Sequence, residues 1–175
     1  MRRILLLTIV LGALLSCFGC APETMVEKPV LYLYPEQKTE ISVRLDFDGQ
    51  LTATYPAYLG EWRVIAVPDG RLINQSDGRE YSYLYWEGIP REANYDWSRG
   101  FCVPGGQTAD FLQQTLAQIG LIPREYNEFI VYWLPRMQNN AYNLICFQAQ
   151  TYADQAVLQI DPKPDSLLRV FMAWK

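Results

Sequence analysis

"EYSYLYWEG", residues 80–88, is the stretch on which the fold turns. In an extended chain successive side chains point to opposite faces. Tyr81, Tyr83 and Tyr85 then share one face with Glu87, and Ser82, Leu84 and Trp86 share the other. Both faces are too apolar or aromatic for a strand edge in water, so the strand is expected inside a sheet. "PVLYLYP", residues 29–35, repeats the division, with Tyr32 and Tyr34 beside Val30 and with Leu31 and Leu33 opposite. If the two strands share a sheet, up to five tyrosines gather on one surface.

Such a surface has two readings. Tyrosines pack their rings in a core and send hydroxyls to a rim or to backbone carbonyls. They also floor ligand sites, where sugar rings stack their C–H faces on aromatics and carboxylates take the sugar hydroxyls. Aromatic stripes usually belong to cores. The central ring, Tyr83, is therefore expected in the core, and Tyr85 with Glu87 at the strand end are the candidate binding residues.

Outward from this strand, the first half of the chain reads as strands and turns. In "EISVRLDF", Ile41, Val43, Leu45 and Phe47 lie on one face. "EWRVIAV" and "RLIN" are further strands. Asp-Gly pairs at 48–49, 69–70 and 77–78 mark turns, because glycine accepts positive φ at no steric cost. The first pair is expected to close a tight hairpin, and the series suggests an antiparallel meander. "FCV" is a short strand. "TADFLQQTLAQIG" then changes the period, with Phe111, Leu112, Leu116 and Ile119 forming a helical stripe, Thr108 as N-cap and Gly120 as C-cap. A short helical turn is expected from Pro123 to Tyr126. "EFIVYWLP", "NLICFQ", "AVLQI" and "LLRVFMAW" read as strands. The expected class is α+β, mostly antiparallel sheet with one clear amphipathic helix, and a β-sandwich is the alternative.

The N-terminus carries an address. "MRRILLLTIVLGALLSC" has two arginines, an apolar run from Ile4 to Leu15, and a small residue before cysteine. The run is short for a spanning helix, which needs about 20 apolar residues, and suits an export signal. "LLSC" resembles a bacterial lipobox. That resemblance implies cleavage before Cys17, a diacylglycerol on its sulfur and acylation of its new amino group. Cys20 is the alternative, with the poorer fit of Cys17 three residues before it. Each buried methylene contributes about 0.8 kcal/mol, so several acyl chains hold firmly. Phe18, rather than aspartate, follows Cys17, and in a two-membrane host the lipobox resemblance then implies sorting to the outer membrane. The expected organisation is a signal peptide over 1–16, a lipidated tether over 17–28 and one β-rich domain over 29–175. The location is then extracytoplasmic, on the cell membrane or outer membrane.

Further segments carry a second resemblance. "KPVLYLYPE", "YSYLYWEG", "EYNEFIVYWLP" and "PKPDSLLRVFMAW" are similar to segments of an uncharacterised family of bacterial envelope and secreted proteins. That likeness implies export and single-domain folding, and it transfers no site residues.

Composition excludes several chemistries. The net charge is −4, and removing the signal takes away Arg2 and Arg3 but no acidic residue. An acidic domain without a basic, aromatic-interleaved patch does not suit nucleic acid. The chain has no histidine. Ser-His-Asp and Cys-His machinery and paired-His zinc helices are therefore ruled out. With Cys17 and Cys20 at the processing site, only Cys102 and Cys146 remain. They are a candidate disulfide in an oxidising compartment, or two small hydrophobes. "DFDG" lacks the further ligands of a calcium loop. No nucleotide-binding motif is present, and no cofactor or metal is expected. Carboxylate chemistry survives, since a glycosidase needs two acids about 5–10 Å apart. Glu87 beside Trp86 and Glu61 beside Trp62 are the candidates. The expectation is a non-enzymatic binding or structural domain at the membrane surface, with an envelope glycan or protein as partner. The alternative is a carboxylate-based glycan hydrolase.

Overall fold

The computed structural model describes residues 28–148 and 150–175. The expected signal peptide, Cys17, Cys20 and the tether up to residue 27 lie outside them. In chain order the elements are β1 (Val30–Tyr34), β2 (Thr39–Phe47), β3 (Gly49–Tyr55), β4 (Trp62–Ala66), β5 (Leu72–Asn74), β6 (Glu80–Tyr81), β7 (Leu84–Pro90) and β8 (Phe101–Pro104). Then come α1 (Thr108–Ile119), α2 (Pro123–Met137), β9 (Tyr142–Phe147), α3 (Gln150–Gln155), β10 (Ala156–Asp161), β11 (Ser166–Val170) and β12 (Met172–Trp174). The class is α+β and mostly antiparallel.

The described residues form three sheets, in the orders β11–β1–β7–β3, β10–β2–β4–β5–β6 and β12–β9–β8. The run β4–β5–β6 is a meander, with turns at Gly70 (φ 86°) and Gly78 (φ 70°) where the Asp-Gly pairs were read. The four-stranded sheet is central. Its leucine side, Leu31, Leu33, Leu84 and Trp86, packs on Ile41, Val43, Trp62 and Val64 of the five-stranded sheet. Its other side, Val30, Tyr32 and Val170, packs on Leu112, Leu116, Phe129 and Trp133 of the two long helices and on Ile145 of the small sheet. Each such fully buried aliphatic or aromatic side chain stabilises the fold by roughly 1.5–3 kcal/mol. Strand β7 lies between β1 and β3, and Trp86 is 0% exposed.

Five local expectations need correction. Asp48-Gly49 closes no hairpin, because β2 and β3 belong to different sheets. Asp48 N–H bonds to Gln155 O (2.9 Å) and Asp48 O accepts from Arg91 N–H (3.0 Å), so its backbone is committed to other segments. A Cβ at Gly49 would lie 2.2 Å from Ile89 O, so glycine is there for close backbone approach. "EYSYLYWEG" is two strands rather than one, and breaks at Ser82-Tyr83 to pass from the five-stranded to the four-stranded sheet. "LLRVFMAW" breaks likewise at Phe171, with β11 and β12 in different sheets.

The fourth correction is α2, a helix where "EFIVYWLP" suggested a strand. Short apolar runs fit either period, and here burial of Glu125, Phe129, Trp133 and Met137 selects spacing four. Pro123 starts the helix, where a missing N–H costs nothing. Glu125 Oε2 accepts from Ile122 N–H (2.9 Å), and Tyr34 donates to Oε1 of the same carboxylate. Pro135 does not end the helix. It would have bonded the carbonyl of Val131, which lies on the solvent side. Thr108 is the first residue of α1 rather than its cap, and its hydroxyl accepts from Asn143 Nδ2 (3.0 Å) in the interior.

Candidate functional site

The register Val30↔Tyr85 and Leu31↔Leu84 places β1 beside β7 with leucines on one side and tyrosines on the other. Tyr32 and Tyr34 stack at 6.4 Å, and Tyr83 meets Tyr32 edge-on at 5.7 Å. The aromatic surface is therefore real, but it is covered unevenly. Helix α2 closes the end at Tyr34 through Glu125. The end at Tyr83 and Tyr85 is only half covered.

The membership also differs from the sequence reading. Tyr81 lies in the five-stranded sheet, its ring in the sandwich core and its hydroxyl donating to Asp77 Oδ2 (2.6 Å). Tyr55 takes the place expected of it. It sits directly opposite Tyr85 across the β3–β7 pair, so both rings project to the same side, and it is 58% exposed. Glu87 follows on that side opposite Ala53, a small residue.

These residues bound a groove. A cavity of about 270 Å³ is lined by Lys28, Tyr55, Tyr83, Tyr85 and Tyr132. A second of about 220 Å³ shares Tyr55 and Tyr83 and adds Glu80, Tyr81, Ser82 and Glu128. Each is small beside typical ligand sites of about 300–1,000 Å³, and the two adjoin at Tyr55 and Tyr83. Tyr132 of α2 forms a wall, its hydroxyl 3.4 Å from Glu87 Oε1. Tyr83 hydrogen-bonds to Glu128; burial, then that carboxylate, pushes its phenol pKa up to about 12. The Lys28 ammonium lies 5.2 Å from the Tyr132 ring centre and 5.6 Å from that of Tyr83. Burial lowers the pKa of Lys28, while Glu128 and Glu87 oppose the shift.

The structure thus places Tyr85 in the groove lining and Glu87 beside it, reached through the Tyr132 hydroxyl. Sequence reasoning missed Tyr55, Tyr132, Lys28 and Glu128. Tyr132 and Glu128 were hidden by the strand reading of α2, on which both sit one turn apart on the groove side. Tyr55 ends a strand whose partner is not adjacent in the chain. The other carboxylate candidate, Glu61, is paired with Arg63 (2.7 Å) and Arg44 (3.5 Å) and accepts from Ser42 (2.8 Å), away from this groove. Cys102 is exposed on β8, and Cys146 is buried on β9 two positions beyond Leu144, the partner of Cys102; both are free thiols. Among the described residues no cluster of three or more Cys, Asp or Glu is arranged to hold a metal ion, and no helix is long and apolar enough to cross a membrane.

The chain is 39% identical over 87 residues to "Uncharacterized protein in bglA 3'region" of Butyrivibrio fibrisolvens. The match covers 47% of this chain and 88% of that protein. The chain belongs to the same family as that protein. No family model matches the chain, and no solved structure matches it.

Proposed function

We propose that this is a lipid-anchored protein of the bacterial cell envelope whose folded part is a non-enzymatic binding domain. Its ligand is an envelope glycan, received in the groove between Tyr55, Tyr83, Tyr85 and Tyr132. The observation that carries this reading is the half-covered end of the tyrosine surface, rimmed by Glu80 and Glu128, with Glu87 adjoining it through the Tyr132 hydroxyl. Aromatic faces accept the C–H faces of sugar rings, and carboxylates on the rim accept their hydroxyls. Glu87 and Glu128 are oriented by the hydroxyls of Tyr132 and Tyr83, which suits them as fixed acceptors for ligand donors. Support for the anchor is the lipobox-like "LLSC" after an apolar run.

The test is a sedimentation assay of the full chain with purified cell-wall glycan. Wild type should co-sediment and Tyr85→Ala should not, with both proteins folded by circular dichroism. Retention unaffected by Tyr85→Ala, or release of new reducing ends from the glycan, would overturn the reading. Labelling with a fatty acid tests the anchor, which should vanish in Cys17→Ala and persist in Cys20→Ala.

A further inference from the structure

The groove already holds a cation. The ammonium of Lys28 stands within about 6 Å of two ring centres, the range in which a positive charge is drawn to an aromatic face. The two rings come from distant parts of the chain, Tyr83 before β7 and Tyr132 on α2, and the folded chain brings them around one point. Two carboxylates stand beside these rings: Glu87 Oε1 lies 3.4 Å from the Tyr132 hydroxyl, and Glu128 is hydrogen-bonded to Tyr83, and both favour a charge on Lys28. Tyr55 and Tyr85 complete the lining. Aromatic faces combined with carboxylates are the chemistry that recognises an ammonium group.

The occupant is itself informative. Lys28 belongs to the segment just ahead of β1, and its side chain reaches into a cavity with room beside it. Burial works against its charge, so its ammonium is held at a cost in solvation. A ligand ammonium attached to a sugar that also stacks on Tyr55 and Tyr85 would gain the same cage plus the stacking.

We propose that Tyr83, Tyr132, Glu87 and Glu128 form an ammonium cage that makes the groove selective for glycans carrying free amino groups, with Lys28 as the internal occupant displaced on binding. The inference rests on the glycan reading above and narrows it to amino sugars. An N-acetylated sugar brings no positive charge, so it leaves the two carboxylates and the ring faces unmatched.

The experiment is isothermal titration of the full chain in detergent with a glucosamine tetrasaccharide, its fully N-acetylated counterpart and tetramethylammonium, at a pH where the sugar amines are protonated. The amino form should bind about tenfold more tightly than the acetylated form, the scale of one desolvated cation–π contact. Lys28→Met removes the internal ammonium and should tighten the amino form and tetramethylammonium several-fold, and by more than it changes the acetylated form. Glu128→Gln should weaken the amino form more than the acetylated form. Equal affinity for both tetrasaccharides would overturn the ammonium cage while leaving the glycan reading standing. Tetramethylammonium bound with neither tetrasaccharide bound would keep the cage and overturn the glycan reading. Unchanged or weaker binding of the amino form and tetramethylammonium by Lys28→Met would overturn the displacement.

Discussion

Neighbouring residues on β7 are expected to answer to different assays. Trp86 is 0% exposed and points into the sandwich core. Its indole lies 6.2 Å from that of Trp62 and 6.3 Å from the ring of Tyr152, with the Arg169 guanidinium 5.6 Å from its centre. Trp86→Ala removes this burial and leaves a cavity between two sheets that cannot close without moving both. The expected loss is about 3–5 kcal/mol. At about 2–4 °C per kcal/mol for a domain of this size, the melting temperature should fall by roughly 10 °C. Tyr85 projects to the opposite side, into the half-covered groove. Tyr85→Ala should cost about 1 kcal/mol, the central value for single substitutions, while abolishing glycan retention. Guanidinium melts read at the tryptophan emission give the first number, and the sedimentation assay gives the second. Similar losses of stability for both variants, with binding lost in neither, would refute the assignment of the two faces of β7.

Helix α1 supplies a second contrast. Leu116→Ala, at a 0% exposed position, should cost about 2–5 kcal/mol in denaturant melts, and Gln113→Ala, on the exposed side, should be near neutral. Alkaline pH should destabilise the fold. Tyr83 has its pKa raised by burial and by Glu128 from 10.0 to about 12, and Tyr32 and Tyr152 are raised by burial too. Protonation of these phenols favours the native state. Their contribution is complete below pH 10, the unfolded value, and is lost as pH rises toward 12, so stability should fall through that window and fall less in Tyr152→Phe. A thiol reagent should modify Cys102 in the native protein and reach Cys146 only on unfolding, as read by peptide mapping; either of these two cysteines left unlabelled after unfolding without reductant would contradict the free-thiol arrangement.

Much of the architecture was present in local pattern. Alternation over two residues located β2 and β4, the Asp-Gly pairs at 69–70 and 77–78 located the meander turns, and the stripe through Leu112 and Leu116 located α1. These features depend on neighbours within a few residues, where backbone sterics and the period of burial act directly. The split of β1 and β7 into a leucine side and a tyrosine side was also legible, because period two dictates it whatever the partner strand.

Tertiary structure decided what local pattern leaves degenerate. Residues 128–135 satisfy both periods, and only packing against β1 and α1 made them helical, which in turn brought Tyr132 and Glu128 to the groove. Residues 80–88 carried no sign of their break at Ser82-Tyr83, because the switch depends on which sheet each half can pair with. Asp48 was turned from a hairpin corner into a crossing by hydrogen bonds to Gln155 and Arg91, residues far along the chain. The candidate site is assembled from Lys28, Tyr55, Tyr83, Tyr85, Glu87, Glu128 and Tyr132, on the approaches to β1 and β7 and on β3, β7 and α2. Tyr85 and Glu87 could be named from sequence because they sit two apart on one strand. The others meet them only through non-local pairing, whose register a single chain read from end to end does not display.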